Sequence, residues 1–340
     1  MIRRQALLLP LLAGALAAPA SAQAPSGLEA PALRPVRPAH TYSIVARDPV
    51  TGELGVAVQS HWFSVGSTVV WAESGAGAVA TQSFIDPSYG ALGLELMRAG
   101  RTAGETLAGL LAADPTPEVR QVGVVDAAGR AAAHTGTLAI VHACDRQGVS
   151  FTVQANLMHN GTVCDAMVRA YEGPGGDLAE RLMRALEAAE AEGGDIRGRQ
   201  SAALLVVAAE PSGRPWADRL FDLRVEDHPD PLVELRRLLG VARAYRHMNE
   251  GDERVTQGEI DAAVEEYRKA EELLPGESEP IFWHAVTLAS VGRVEESLPL
   301  FARAFELRPE WRELVPRLDE AELLPADPEL LEAILGAGAP

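Results

Sequence analysis

A threonine hydroxyl is a poor nucleophile until a base takes its proton, and Thr41, in the stretch RPAHTYSIVARD, raises that problem directly. Read as structure, Thr41 opens a buried strand. It reads as chemistry only if the chain is cut immediately before it. Ser60 and His61 follow a second strand, in ELGVAVQSHW, and could face the start of the first. Ser60 would there donate a hydrogen bond. His61 would assist proton transfer, or stand as an exposed structural residue. Asn156 ends the strand VQAN, where its amide could stabilise an oxyanion or cap a turn. Arg197, Arg199, Gln200 and Ser201 lie at a turn into a late strand, as ligands for an anionic group or as a clamp on buried carboxylates. Asp86 and Tyr89 flank Pro87 and Ser88, with Ser88 expected as a helix N-cap. Asp227, His228 and Asp230 have metal-ligand chemistry, but the two prolines of VEDHPDP make a rigid connector the expected role. Cys144 and Cys164 stand 20 residues apart, a spacing that permits a disulfide or two separate buried thiols. Two cysteines make no metal site, and no nearby histidine spacing completes one.

The elements that must position these residues change character near Pro229. Before it, TYSIVARD and ELGVAVQS read as strands joined by a turn at Pro49 and Gly52, and STVVWAE and AGAVATQSF as a second pair. Helices are expected over 88–97 and 103–112, strands at RQVGVVDA, RAAAHTG and VSFTVQAN, helices over 161–171 and 178–191, and closing strands at SAALLVVAA and FDLRVED. Grouped strands with intervening helix pairs point to packed sheets flanked by helices rather than a regular parallel repeat.

From Leu232 onward the pattern is helical and repeats itself. Gly258 and Gly292 are 34 residues apart, and so are Tyr267 and Phe301, Ala270 and Ala304, and Pro275 and Pro309. That is the period of a tetratricopeptide repeat. About two repeats are expected, with the helix over 232–248 completing the first and helical pieces over 311–323 and 328–335 capping the stack.

The formal net charge of -18 over 340 residues argues against phosphate backbones and anionic lipid as partners, so no nucleic acid is expected. Hydrophobic residues make up 47% of the chain, ample for a core. At the start, Arg3 and Arg4 precede an apolar run and the small residues Ala20, Ser21 and Ala22. This is the layout of a secretory signal peptide, residues 1–22, cleaved before Gln23, with no membrane span after its removal. Residues 23–40, dense in Pro and Ala, read as a flexible leader. The expected location is the periplasm or the medium. Phosphate-loop, HExxH and GxSxG motifs are absent, and no pattern requires a cofactor.

The segments TYSIVARDPVTGELGVAVQS, GAVATQSFIDPSYG, RQVGVVDAAGRAAAHTG, VQANLM, GGDIRGRQSAALLV and DLRVEDHPDPLVELRRL together resemble the DUF1028 family of Ntn-hydrolase-like proteins over nearly all of 41–239. The resemblance implies an α+β class: an αββα sandwich over 41–229, followed here by the all-α tetratricopeptide-like region over 230–340. It places Thr41 where the working residue of N-terminal-nucleophile proteins stands, with its own freed α-amine as base. After signal cleavage 18 residues still precede Thr41, so a second cut is required. Two functions are expected to compete: hydrolysis of an amide in a small molecule or peptide, and non-catalytic binding of a protein or peptide through the helical region. That region could equally cover an apolar face of the first domain or mediate a homodimer.

Overall fold

The computed structural model describes residues 41–338. The expected signal peptide and leader lie outside the described residues. Within them the chain has mixed α and β character, with sheets first and a helical C-terminal region after.

The strands are β1 (Thr41–Arg47), β2 (Leu54–Ser60), β3 (Val70–Glu73), β4 (Gly77–Ser83), β5 (Arg120–Asp126), β6 (Ala131–Thr135), β7 (Cys144–Gly148), β8 (Phe151–Ala155), β9 (Ser201–Val207) and β10 (Arg219–Val225). They form a six-stranded sheet in the order β10-β9-β2-β1-β8-β7 and a four-stranded sheet in the order β3-β4-β5-β6. Every pairing in both sheets is antiparallel. Side chains alternate across each strand, so every strand of the six-stranded sheet offers one residue set to each layer. Val45, Val56, Val58 and Leu205 from that sheet meet Ala78, Ala80 and Val125 from the other. Tyr42, Ile44 and Leu204 face the opposite way, against helices α3 (Val163–Tyr171) and α4 (Leu178–Ala191). Val79, Val122 and Val124 cover the far face of the small sheet with α1 (Ser88–Arg98) and α2 (Ala103–Ala113). Strands buried on both faces read as nearly continuous apolar runs, which is why TYSIVAR and SAALLVV show little alternation.

Ser88 does not cap α1. It is the first helical residue, and Asp86 Oδ1 accepts its N–H at 3.0 Å, so the acceptor comes from two residues earlier. The strand β7 has no counterpart in the expected elements, because CDRQG is polar and only partly buried at the sheet edge. Cys144 at its start is bonded to Cys164 in α3, with Cα atoms 6.2 Å apart. Closing a loop of that length stabilises the fold by about 3 kcal/mol. Reduction, or the Cys144→Ala/Cys164→Ala pair, should therefore lower the unfolding midpoint by several degrees in a thermal melt. An unchanged midpoint would show that the bridge carries no stability.

The helices after β10 are α5 (Pro231–Thr256), α6 (Ile260–Leu273), α7 (Ser278–Ser290), α8 (Val294–Leu307), the short α9 (Trp311–Leu314) and α10 (Pro328–Gly336). Helix α5 is longer than expected, and its two halves belong to different cores. Leu232, Leu235 and Leu239 pack with the large sheet and α4. Ala244 and Met248 pack with Tyr267 and Ala270. One helix thus contributes to both cores. The helix expected over 311–323 shrinks to α9 and one short turn, since Pro316 and the bends that follow interrupt it. Gly258 and Gly292 sit at matching turns with φ of +78° and +82°, a conformation that a side chain would strain.

Charged pairs lock α4 to α5. Arg236 binds Glu180 at 2.6 Å and Glu187 at 2.7 Å, and Arg243 binds Asp177 at 2.7 Å. Burial raises the Glu180 carboxyl, but hydrogen bonds and charge from Arg236 and Arg243 outweigh it and hold the group below its ordinary value. A depressed acid contributes stability that is present above its unfolded value and lost as pH falls through the folded one. The stability gap between wild type and Glu180→Gln should therefore be full near neutrality and shrink as pH drops below about 4.3. Paired thermal melts across that range would show it, and a pH-independent gap would refute the linkage.

Candidate active site

One end of the space between the sheets is polar. The register aligns Thr41 with Ser60, and Ser60 with Ser201, while Asn156 follows directly on β8. Thr41, Ser60, Asn156 and Ser201 are all fully buried. Thr41 Oγ1 donates to Ser60 Oγ at 3.2 Å. The Thr41 carbonyl accepts from the Asn156 N–H at 3.1 Å and from Gln82 Nε2, which reaches across from the small sheet, at 3.2 Å.

Gln82 and Gln121 bind this end of the two sheets together. Gln121 Oε1 accepts from Gln82 Nε2 at 2.7 Å and from Asn156 Nδ2 at 2.8 Å. Gln121 Nε2 donates to the Ala155 carbonyl at 2.9 Å, Thr135 Oγ1 at 3.0 Å and the Cys144 carbonyl at 3.2 Å. Turning either amide over would set oxygen against acceptors, so the network fixes both orientations. Asn156 is thus a buried donor of this network rather than a turn cap. Neither glutamine was singled out from the sequence. The available signal was a long amide within AVATQS and RQVGVV, where the neighbours are mostly small or apolar.

His61 is half-buried just beyond Ser60, and its backbone N–H donates to Asp195 Oδ2 at 3.3 Å. Asp195, 3% exposed, is gripped by Arg197 through Nη2 at 2.6 Å and Nε at 3.1 Å, and accepts the Arg197 N–H at 2.9 Å. Arg199 pairs with Asp230 at 2.6 Å and Glu190 at 3.4 Å. Glu190 also accepts from the Tyr42 hydroxyl at 2.6 Å. Burial, then the Glu190 charge, pushes that hydroxyl well above its ordinary range, so Tyr42 stays a donor. Gln200 Nε2 donates to Asp227 at 3.2 Å, the Gln200 carbonyl accepts the His228 N–H at 2.8 Å, and His228 Nδ1 accepts the Asp230 N–H at 3.0 Å. The structure therefore brings Thr41, Ser60 and Asn156 into one hydrogen-bonded group. Arg197, Arg199 and Gln200 are engaged with carboxylates beside it. The segment holding Asp227, His228 and Asp230 is tied down by its own hydrogen bonds, and among the described residues no group of three or more metal-ligating side chains comes together. Asp86 and Tyr89 serve the small sheet's helices instead: Tyr89 donates to Asp114 at 2.9 Å, and Arg120 binds Asp114 at 2.6 Å and Asp86 at 3.6 Å.

Chemically, the group can hold a residue-41 hydroxyl beside a second hydroxyl, with its carbonyl fixed from both sheets. As long as residue 40 is attached, the residue-41 nitrogen is an amide and cannot act as a base.

No curated protein matches the chain. Among solved structures, the crystal structure of a DUF1028 protein from Silicibacter pomeroyi aligns with a TM-score of 0.53 and 29% identity, covering 59% of this chain and 88% of that one. The family model DUF1028, a family of unknown function, matches residues 41–235. Over more than half of its length, and over every residue of the Thr41 group, this chain belongs to the DUF1028 family.

Proposed function

We propose that this is an exported Ntn-hydrolase-like protein that cleaves an amide bond in a small molecule or peptide once residues 1–40 have been removed. The observation that carries this reading is the position of Thr41: first residue of β1, inside the sheet-to-sheet space, with its hydroxyl on Ser60 and its carbonyl held by Asn156 and Gln82. In the released form Thr41 Oγ attacks the substrate carbonyl as the Thr41 α-amine takes its proton. Asn156 and nearby backbone N–H groups stabilise the oxyanion. The ammonium returns the proton to the leaving amine as the C–N bond breaks, leaving an ester on Thr41. Water, deprotonated by the same amine, then releases the acid and restores the hydroxyl. Export is supported by the Cys144–Cys164 bridge, which suits an oxidising compartment. A tetratricopeptide-like reading of α5–α8 is supported by the matching turns at Gly258 and Gly292 and by burial of Tyr267 with Phe301 and Ala270 with Ala304.

The test is intact mass and N-terminal sequencing of protein recovered from its native compartment, followed by turnover of a panel of acyl and peptidyl amides. A chain starting at Thr41 that turns over an amide supports the reading. A homogeneous chain starting near Gln23 defeats it and favours the non-catalytic alternative, binding through the helical region. Complete burial of Thr41 in the unprocessed chain is the observation on that side.

A further inference from the structure

A pocket apart from the Thr41 group lies at the seam where α5 leaves the large sheet. A cavity of about 380 Å3 opens there, floored by Phe221 of β10 and walled by α5 and α6. That volume lies within the range of small-molecule sites. Its cations are Arg243 and Arg246, with His247 beside them. Its carboxylates are Asp177, Glu250 and Glu266.

Most of these charges are already matched. Arg243 holds Asp177 at 2.7 Å, His247 Nδ1 lies 2.6 Å from Glu266, and Glu250 takes Arg254 at 2.8 Å. Each carboxylate is therefore fixed in direction by a basic neighbour. Arg246 differs. Its guanidinium lies over the Phe221 ring, 4.9 Å from the centroid, and no carboxylate among the described residues forms an ion pair with it. That contact engages the guanidinium's charge and none of its N–H donors, which can serve a planar acceptor. Such an edge matches a carboxylate with two parallel hydrogen bonds.

We propose that this cavity binds a small zwitterion, a free amino acid or dipeptide, with its carboxylate on Arg246 and its ammonium on the acidic wall. Arg246 offers its N–H donors to the carboxylate end. Asp177, Glu250 and Glu266 are each paired with a base, Glu266 with Lys269 at 2.7 Å as well, but an ionised carboxylate has lone pairs beyond those one base uses, and these take the ammonium end. The site does not depend on Thr41 being active, because none of its residues belongs to the Thr41 group. A ligand seated here touches Phe221 of the large sheet and polar residues of α5 and α6.

Calorimetric titration of the purified protein with L-leucine and with glycylglycine tests the site, using acetate, N-acetyl-L-leucine and L-leucinamide as single-charge controls. The proposal expects at least one zwitterion to bind with a dissociation constant at or below about 1 mM, the controls at least tenfold more weakly, and Arg246→Ala to weaken the zwitterion at least tenfold. Arg246 is exposed, so the variant should retain its fold, as circular dichroism would check; Arg246→Lys, which keeps the charge but not the fork, should also weaken binding. Absence of binding by both zwitterions overturns the proposal. So does acetate binding as tightly as leucine, or leucine affinity that Arg246→Ala leaves unchanged.

Discussion

Thr41→Ala, prepared so that the chain starts at residue 41, is expected to lose amide turnover by at least about four orders of magnitude while its unfolding midpoint barely moves. The two halves of this expectation come from different interactions. In the folded chain the Thr41 hydroxyl donates to Ser60 Oγ at 3.2 Å, and the Asn156 N–H and Gln82 Nε2 reach its main-chain carbonyl, which alanine retains. Losing one buried neutral hydrogen bond costs about 1 kcal/mol. Losing the attacking atom removes the covalent route altogether, and in hydrolases with an activated hydroxyl that loss reaches about a millionfold. Thr41→Ser keeps the oxygen and the α-amine and should retain measurable turnover. Turnover that survived Thr41→Ala would transfer the chemistry to another residue and end the proposed mechanism. A large loss of stability in the variant would mark Thr41 chiefly as a structural residue of β1.

Much of the scaffold was legible in local pattern, and much of the site was not. Strands β1, β2 and β9 announce themselves through dense β-branched and small residues bounded by turn signals. The paired helices of the C-terminal region follow from one offset shared by four residue pairs. What local pattern could not supply was the partner across the sheets. Gln82 and Gln121 lie 39 residues apart and come within 2.7 Å only because β4 and β5 are neighbours whose register aligns them. Asp195 gives no sign in GGDIRGRQ that it will accept from the His61 N–H, a contact spanning 134 residues. The strand β7 carries no local signal, because it is held by pairing with β8 and by the bridge to α3 rather than marked by apolar alternation. For a related reason, a proline marks where α5 can begin, whereas the core that each half of the helix joins depends on tertiary packing.

Gly123→Val should be among the most destabilising single substitutions in the sheets, by about 3 kcal/mol or more. Gly123 lies mid-strand in β5, aligned with Ala80 on one side and Ala133 on the other. An added Cβ there would stand 2.3 Å from Nε2 and 2.5 Å from Cδ and Oε1 of Gln154, which crosses from β8 of the other sheet. In water the end of a glutamine would simply swing aside. Here Gln154 is fully buried, Oε1 accepts from Ser43 Oγ at 2.9 Å, and Nε2 donates to Thr152 Oγ1 at 2.8 Å. Displacing the amide leaves buried polar atoms unmatched, costing about 1–3 kcal/mol, and forcing volume into a packed layer costs about as much again. At about 2–4 °C per kcal/mol for a domain of this size, the midpoint should fall by roughly 10 °C. The smaller change Gly123→Ala isolates the cause through a double-mutant cycle with Gln154→Ala. If the clash with Gln154 is responsible, alanine at 123 should cost clearly less when residue 154 is already alanine. Strictly additive costs would mean that the backbone of β5, not the amide opposite, requires glycine.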